Sequence, residues 1–165
     1  MEGIPIPVKI HLLNRQRALR VCPAAFRRLI RTLAARAFPA EAPAPFGELS
    51  VTLTDDAAMP AYKAGCFGVR VQTDVVAQSY EAVPGVCAAT ADLILNAERA
   101  RAEGRARAGG PARELALYLA HGLDHLGLVR ERDLLEVLRV RHRDVGAGDA
   151  ADRRVEVVER LLLDE

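Results

Sequence analysis

Tryptophan is absent from this chain, and Lys9 and Lys63 are its only lysines. Aromatic residues make up 4% of the 165 residues, so Leu, Val, Ile and Ala must fill the core. Positive charge is nearly all arginine. Together with the many alanines this reads as a composition bias, so a single Arg is not in itself a phosphate contact. No apolar run approaches the roughly 20 residues of a membrane span, and the N-terminus has no signal-peptide pattern. The three cysteines, Cys22, Cys66 and Cys87, lie far apart without CxxC spacing. That excludes a disulfide framework, and reduced thiols in a cytoplasmic protein are expected. A net charge of +1 excludes non-specific wrapping of nucleic acid by the whole surface. The charge is nonetheless uneven. Lys9, Arg15, Arg17, Arg20, Arg27, Arg28, Arg31 and Arg36 face only Glu2 and Glu41 over residues 1–46. A local basic face for RNA or another anion and a merely solvated arginine face both remain open.

What is present suits one domain with a substantial core: half the residues are hydrophobic and 27% are charged. Alternation predicts strands over 5–12, 48–54, 73–80 and 88–96. Helical periodicity predicts helices over 23–38, 97–103 and 112–126, with Gly127 as C-cap, and a short one opening at Asp55-Asp56. Residues 39–45, 65–72 and the stretch through Gly104, Gly109, Gly110 and Pro111 read as irregular. Two more helices are predicted near 133–141 and 150–163. The order implies an α+β fold: a small sheet of about four strands with helices packed on it, and a metal site on a helix of the C-terminal half.

The chemistry sits in His121-Gly-Leu-Asp-His125. Residues four apart share a helix face, so both imidazoles can meet one ion without distorting the backbone. Gly122 costs about 1 kcal/mol of helix stability relative to Ala, which points to close approach of another backbone there. Position 122 is not Glu, so the general base of an HExxH protease is missing. Spacing alone leaves a pair of incidental surface histidines as the competing reading.

The surroundings decide between them. His121-Gly-x-x-His125-Leu-Gly127 resembles the signature of the YbeY family, bacterial endoribonucleases of ribosomal RNA maturation whose three histidines hold a zinc. Leu-Ser-Val-Thr-Leu-Thr-Asp-Asp56, then Thr73-Asp74-Val75-Val76, then Ala91-Asp92-Leu93-Ile94-Leu95 resemble the family's further blocks in the right order. The resemblance implies a single domain over 1–165, one zinc ion, ribosomal RNA or ribosomal particles as partner, no membrane and no nucleotide cofactor. It also implies hydrolysis of single-stranded RNA by zinc-activated water.

Two departures bear on the site. The family's asparagine and arginine fall at Lys63 and Phe67, and Phe67 cannot contact a phosphate as an arginine does. Arg70 or Lys63 is near enough in sequence to substitute, and Cys66-Phe67-Gly68 resembles a Phe-Leu-Gly segment of divergent members. The candidate catalytic residues are therefore Arg70 and Asp74. Asp74, beside Thr73, reads more as a group that fixes the loop than as a base. The regular place of the third ligand holds Glu131, while His142 is followed by the better match to the family's closing segment. Both are candidates, with His142 preferred. For His142 to reach, the chain must turn sharply at Gly127, because one continuous helix would carry it about 25 Å away. Asp124 reads equally as an orienting partner of a ligand or as a solvent-facing aspartate, and His11 as a surface residue. A ribosome-binding protein without catalysis and a metal-dependent hydrolase of another substrate are the rival functions.

Overall fold

The computed structural model describes residues 8–37 and 46–127. Strand β1 (Lys9–Asn14) leads to helix α1 (Pro23–Ala37), then β2 (Glu48–Thr54), α2 (Met59–Phe67) and β3 (Val75–Tyr80). After these come β4 (Thr90–Asn96), α3 (Ala97–Arg105) and α4 (Gly110–His125). The expected α+β fold, a four-stranded sheet carrying helices, is what forms. The helices predicted near 133–141 and 150–163 lie outside the described residues.

The strands run in the order β1-β2-β4-β3. β1, β2 and β4 are parallel, and β3 pairs antiparallel with β4. Parallel neighbours need a crossover, which α1 supplies between β1 and β2. β3 and β4 need only a short return through Gly85, whose φ is 75°.

The period of two along the strands separates the two faces. Leu49, Val51 and Leu53 pair with Ala91, Leu93 and Leu95, and all six are fully buried. They meet Phe26, Ile30 and Leu33 of α1 and Leu115, Leu119 and Leu123 of α4. Val76 and Ile94 point the other way and are covered by Met59, Tyr62 and Cys66 of α2. Among the described residues, the sheet thus lies between a layer of α1, α3 and α4 and helix α2. Each large apolar side chain fully buried here contributes about 1.5–3 kcal/mol, so the inner surface of α4 is firmly held.

Several boundaries differ from the sequence expectation, β1 running Lys9–Asn14 and α2 starting at Met59 among them, and three have a local reason. The stretch from Gly65 is helical through Phe67, because the chain turns only at Gly68, which is left-handed (φ 71°) and donates its N–H to the Ala64 carbonyl. Thr73 and Asp74 precede β3 instead of opening it. The Asp74 carboxylate accepts the Val75 N–H at 2.9 Å, and the Thr73 hydroxyl donates to the Val75 carbonyl at 3.2 Å. Gly104 belongs to α3, and Gly110-Pro111 already form the first turn of α4, where proline needs no N–H partner. A Cβ on Gly104 would overlap the Gly110-Pro111 backbone, so this glycine sets how closely α3 and α4 approach.

Candidate metal centre

Glu114, Tyr118, His121 and His125 follow one another on α4 at spacings of four, three and four, which aligns them on one stripe of the helix. The stripe is buried at Glu114 and Tyr118, half-buried at His121 and exposed at His125. His121 and His125 turn toward each other, their Nε2 atoms 3.0 Å apart and their ring planes at 70°.

The seat of this pair is Gly122. A Cβ there would lie 2.9 Å from Leu93 Cδ2 and 3.0 Å from Val75 Cγ2. The close approach inferred from the glycine is real. Its partner, however, is a pair of sheet side chains and not another backbone, because α4 lies flat on β3 and β4. This contact also brings the start of β3 next to the histidine end of α4. Just beyond, Gly127 is left-handed (φ 72°) and its N–H donates to the Asp124 carbonyl at 2.8 Å. The helix therefore ends where the sharp turn was required.

The other predicted residues are scattered around this end. Asp74 is half-buried at the head of β3, its carboxylate engaged by the Val75 N–H and, at 3.3 Å, by the Thr73 hydroxyl. Arg70 is exposed in the connection from α2 to β3 and has no ion-pair partner among the described residues. Asp124 is half-buried, and its side chain makes no bond among the described residues. His11 is exposed on β1 and pairs with Glu48 at 3.1 Å, far in sequence from any other histidine of the described part. Glu131 and His142 lie outside the described residues. Among the described residues, no three His, Cys, Asp or Glu side chains are gathered to hold a metal ion.

Two groups escaped the sequence reading. Buried Glu114 is ion-paired with Arg107, which also reaches Glu103 at 3.4 Å. Next to them the buried Tyr118 hydroxyl has no well-formed hydrogen bond. Burial, followed by the nearby carboxylates of Glu103, Glu114 and Asp74, holds its pKa well above the usual phenol range. At the ends of β2 and β4, the fully buried Asn96 donates from Nδ2 to Asp56 at 2.7 Å and caps α3 through the Arg99 N–H. Gln72 donates to the Asp56 carbonyl at 2.8 Å, which ties the α2–β3 connection to the same point. The helical spacing of Glu114 and Tyr118 from the histidines was the available signal for the first group. Nothing in the sequence pointed to the second.

Residues 11–127 match the family model of the endoribonuclease YbeY. The chain belongs to that family. The match spans more than two thirds of this YbeY-family chain and includes both His121 and His125, while Glu131 and His142 fall beyond it. No curated protein matches the chain. No helix among the described residues is long and apolar enough to cross a membrane.

The two imidazoles fit two positions of a zinc donor set. Two imidazole nitrogens bound to a tetrahedral zinc at about 2.0–2.1 Å stand about 3.3 Å from each other, close to the 3.0 Å observed between the Nε2 atoms. Two such nitrogens, each with a lone pair or a proton to offer, either share one proton or face a common cation.

Proposed function

We propose that this YbeY-family chain is a zinc-dependent endoribonuclease that cuts single-stranded RNA in ribosomal RNA maturation or ribosome quality control, in the cytoplasm. The observation that carries the reading is the convergence of two Nε2 atoms to 3.0 Å on a helix end that the family match includes. His121 and His125 supply two ligands, and a third comes from beyond Gly127, His142 being preferred over Glu131. Zinc held there would supply positive charge to a phosphate oxygen and acidify a water molecule for attack.

The rest of the work falls to the chain's own side chains. Gly122 lets α4 rest on Leu93 and Val75, so the two imidazoles are presented from a rigid helix instead of a loop. Asp74 holds the head of β3 in place through the Val75 N–H and the Thr73 hydroxyl. Arg70 and Lys63, neither of them in an ion pair among the described residues, hold the RNA backbone.

The test is RNA cleavage by zinc-loaded wild type beside the His121→Ala, His125→Ala double variant. Wild type cuts single-stranded ribosomal RNA segments and the double variant does not; intact cleavage by the double variant would sink the metal mechanism. The exposed Phe67 at the family's arginine position favours a second reading, a ribosome-binding protein without catalysis. Binding to ribosomal particles with no cleavage under any divalent ion would select it.

A further inference from the structure

The last residue of α2 and the connection that follows leave Phe67, Val69 and Val71 about half exposed, at 50%, 50% and 48%. Three apolar side chains presented together within five residues need an explanation that single exposed residues do not. The segment is not loosely placed. Gly68 ends α2 with its N–H on the Ala64 carbonyl at 2.8 Å, which fixes the backbone next to Phe67. The far end is tied down by Gln72 on the Asp56 carbonyl and by the Thr73-Asp74 turn.

Two cations, Lys63 and Arg70, flank this apolar strip. Lys63, one turn earlier on α2, holds its Nζ 5.8 Å from the Phe67 ring centroid. Arg70 stands between Val69 and Val71, exposed. Neither cation is paired with a carboxylate among the described residues. The Lys63 ammonium covers one face of the ring, and a ring with one face so covered and Arg70 nearby is complementary, on its other face, to a planar base on an anionic backbone. A neutral apolar peptide would bring neither cation an anion.

We propose that Phe67 is a stacking platform for one unpaired base of single-stranded RNA, with Lys63 and Arg70 taking the adjacent phosphates. The proposal rests on the RNA reading given above and deepens it. A base can stack on Phe67 only if it is free of a duplex, so the residue that replaces the family's arginine becomes a source of single-strand preference. The contact tolerates any base, since every base has a π-face.

The experiment measures fluorescence anisotropy of a labelled single-stranded oligoribonucleotide with the full chain as purified, with probe integrity checked on a gel. Phe67→Ala and Phe67→Leu should each bind roughly tenfold more weakly, within the range one stacked base contributes. Phe67→Trp should bind as tightly as wild type or more so. The leucine variant keeps apolar bulk, so its loss separates stacking from mere hydrophobic contact and from damage to the fold. A fully paired RNA of the same length should bind with little change across all four proteins. The proposal is overturned if Phe67→Ala or Phe67→Leu binds single strands within twofold of wild type, or if paired RNA shows the same losses. Wild type that binds no RNA overturns it together with the nuclease reading. Losses at Phe67 in a wild type that binds but never cuts RNA leave stacking standing and remove only the nuclease.

Discussion

α4 takes part in two polar pairs that are built on opposite principles. Glu114–Arg107 joins a buried carboxylate to a guanidinium, so donors meet acceptors and charge meets counter-charge. His121–His125, two turns further along the same stripe, joins two identical bases whose Nε2 atoms face each other at 3.0 Å. The first pair is complete in itself and fastens the α3–α4 turn. The second can be closed by one shared proton, and in the proposed reading a cation takes that proton's place. On that reading one helix carries a structural pair, held by opposite charges, and a ligand-binding pair, built from two like bases.

The largest way to break that contrast is to remove the histidine pair. His121→Ala with His125→Ala should lower RNA cleavage by about a thousandfold or more, as loss of a catalytic metal does, while thermal unfolding of the metal-free protein stays nearly unchanged. Chelation should lower the melting temperature of wild type and leave that of the double variant alone, because a bound metal stabilises only the state that binds it.

Gly122→Val comes next. Its side chain would be driven into Leu93 and Val75, and overpacking of this kind costs about 1–3 kcal/mol. Denaturant titration should show the loss, and zinc affinity should fall with it as the histidines lose their seat.

Arg107→Ala should cost about 1–3 kcal/mol because it leaves the Glu114 carboxylate buried without a counter-charge. Glu103→Ala breaks only the more exposed bond to Arg107 and should cost no more than about 1 kcal/mol. Neither change should alter zinc content. If Arg107→Ala stripped the metal, the two pairs would not be independent and the contrast would fail.

The smallest effect concerns Tyr118. Its folded-state pKa is raised by burial first and then by Glu103, so above about pH 10 the unfolded tyrosine ionises while the folded one stays protonated. Protons are then bound more tightly by the folded state, and stability falls as pH rises. Tyr118→Phe should flatten that alkaline limb in urea titrations. It should also gain up to about 1 kcal/mol at neutral pH by removing an ill-satisfied buried hydroxyl.

Much of this architecture was legible in the sequence because burial here follows simple periods. The alternation Leu49, Val51, Leu53 and the stripe Leu115, Leu119, Leu123 name their own elements and inner faces. Misplaced ends came from contacts that no period encodes. Gly104 looks like a helix breaker, yet it remains helical because the Gly110-Pro111 backbone packs against it. Thr73 has strand propensity, yet its hydroxyl and Asp74 are spent on Val75.

The site was half legible. His121 and His125 stand four apart, a spacing that forces a shared face. The Asn96–Asp56–Gln72 tie joins residues up to 40 positions apart, and such pairing depends on how strand ends meet. Nothing in the sequence pairs Glu114 with Arg107. Only the packing of α3 on α4 shows that it is buried and paired with Arg107.

Zinc content per chain tests the central claim most directly, measured by plasma mass spectrometry on the purified wild type and on the His121→Ala, His125→Ala double variant. The account predicts about one zinc per wild-type chain, as for a single three-ligand site, and almost none in the double variant. Equal zinc in both proteins, or none in a folded wild type supplied with the metal, would contradict it.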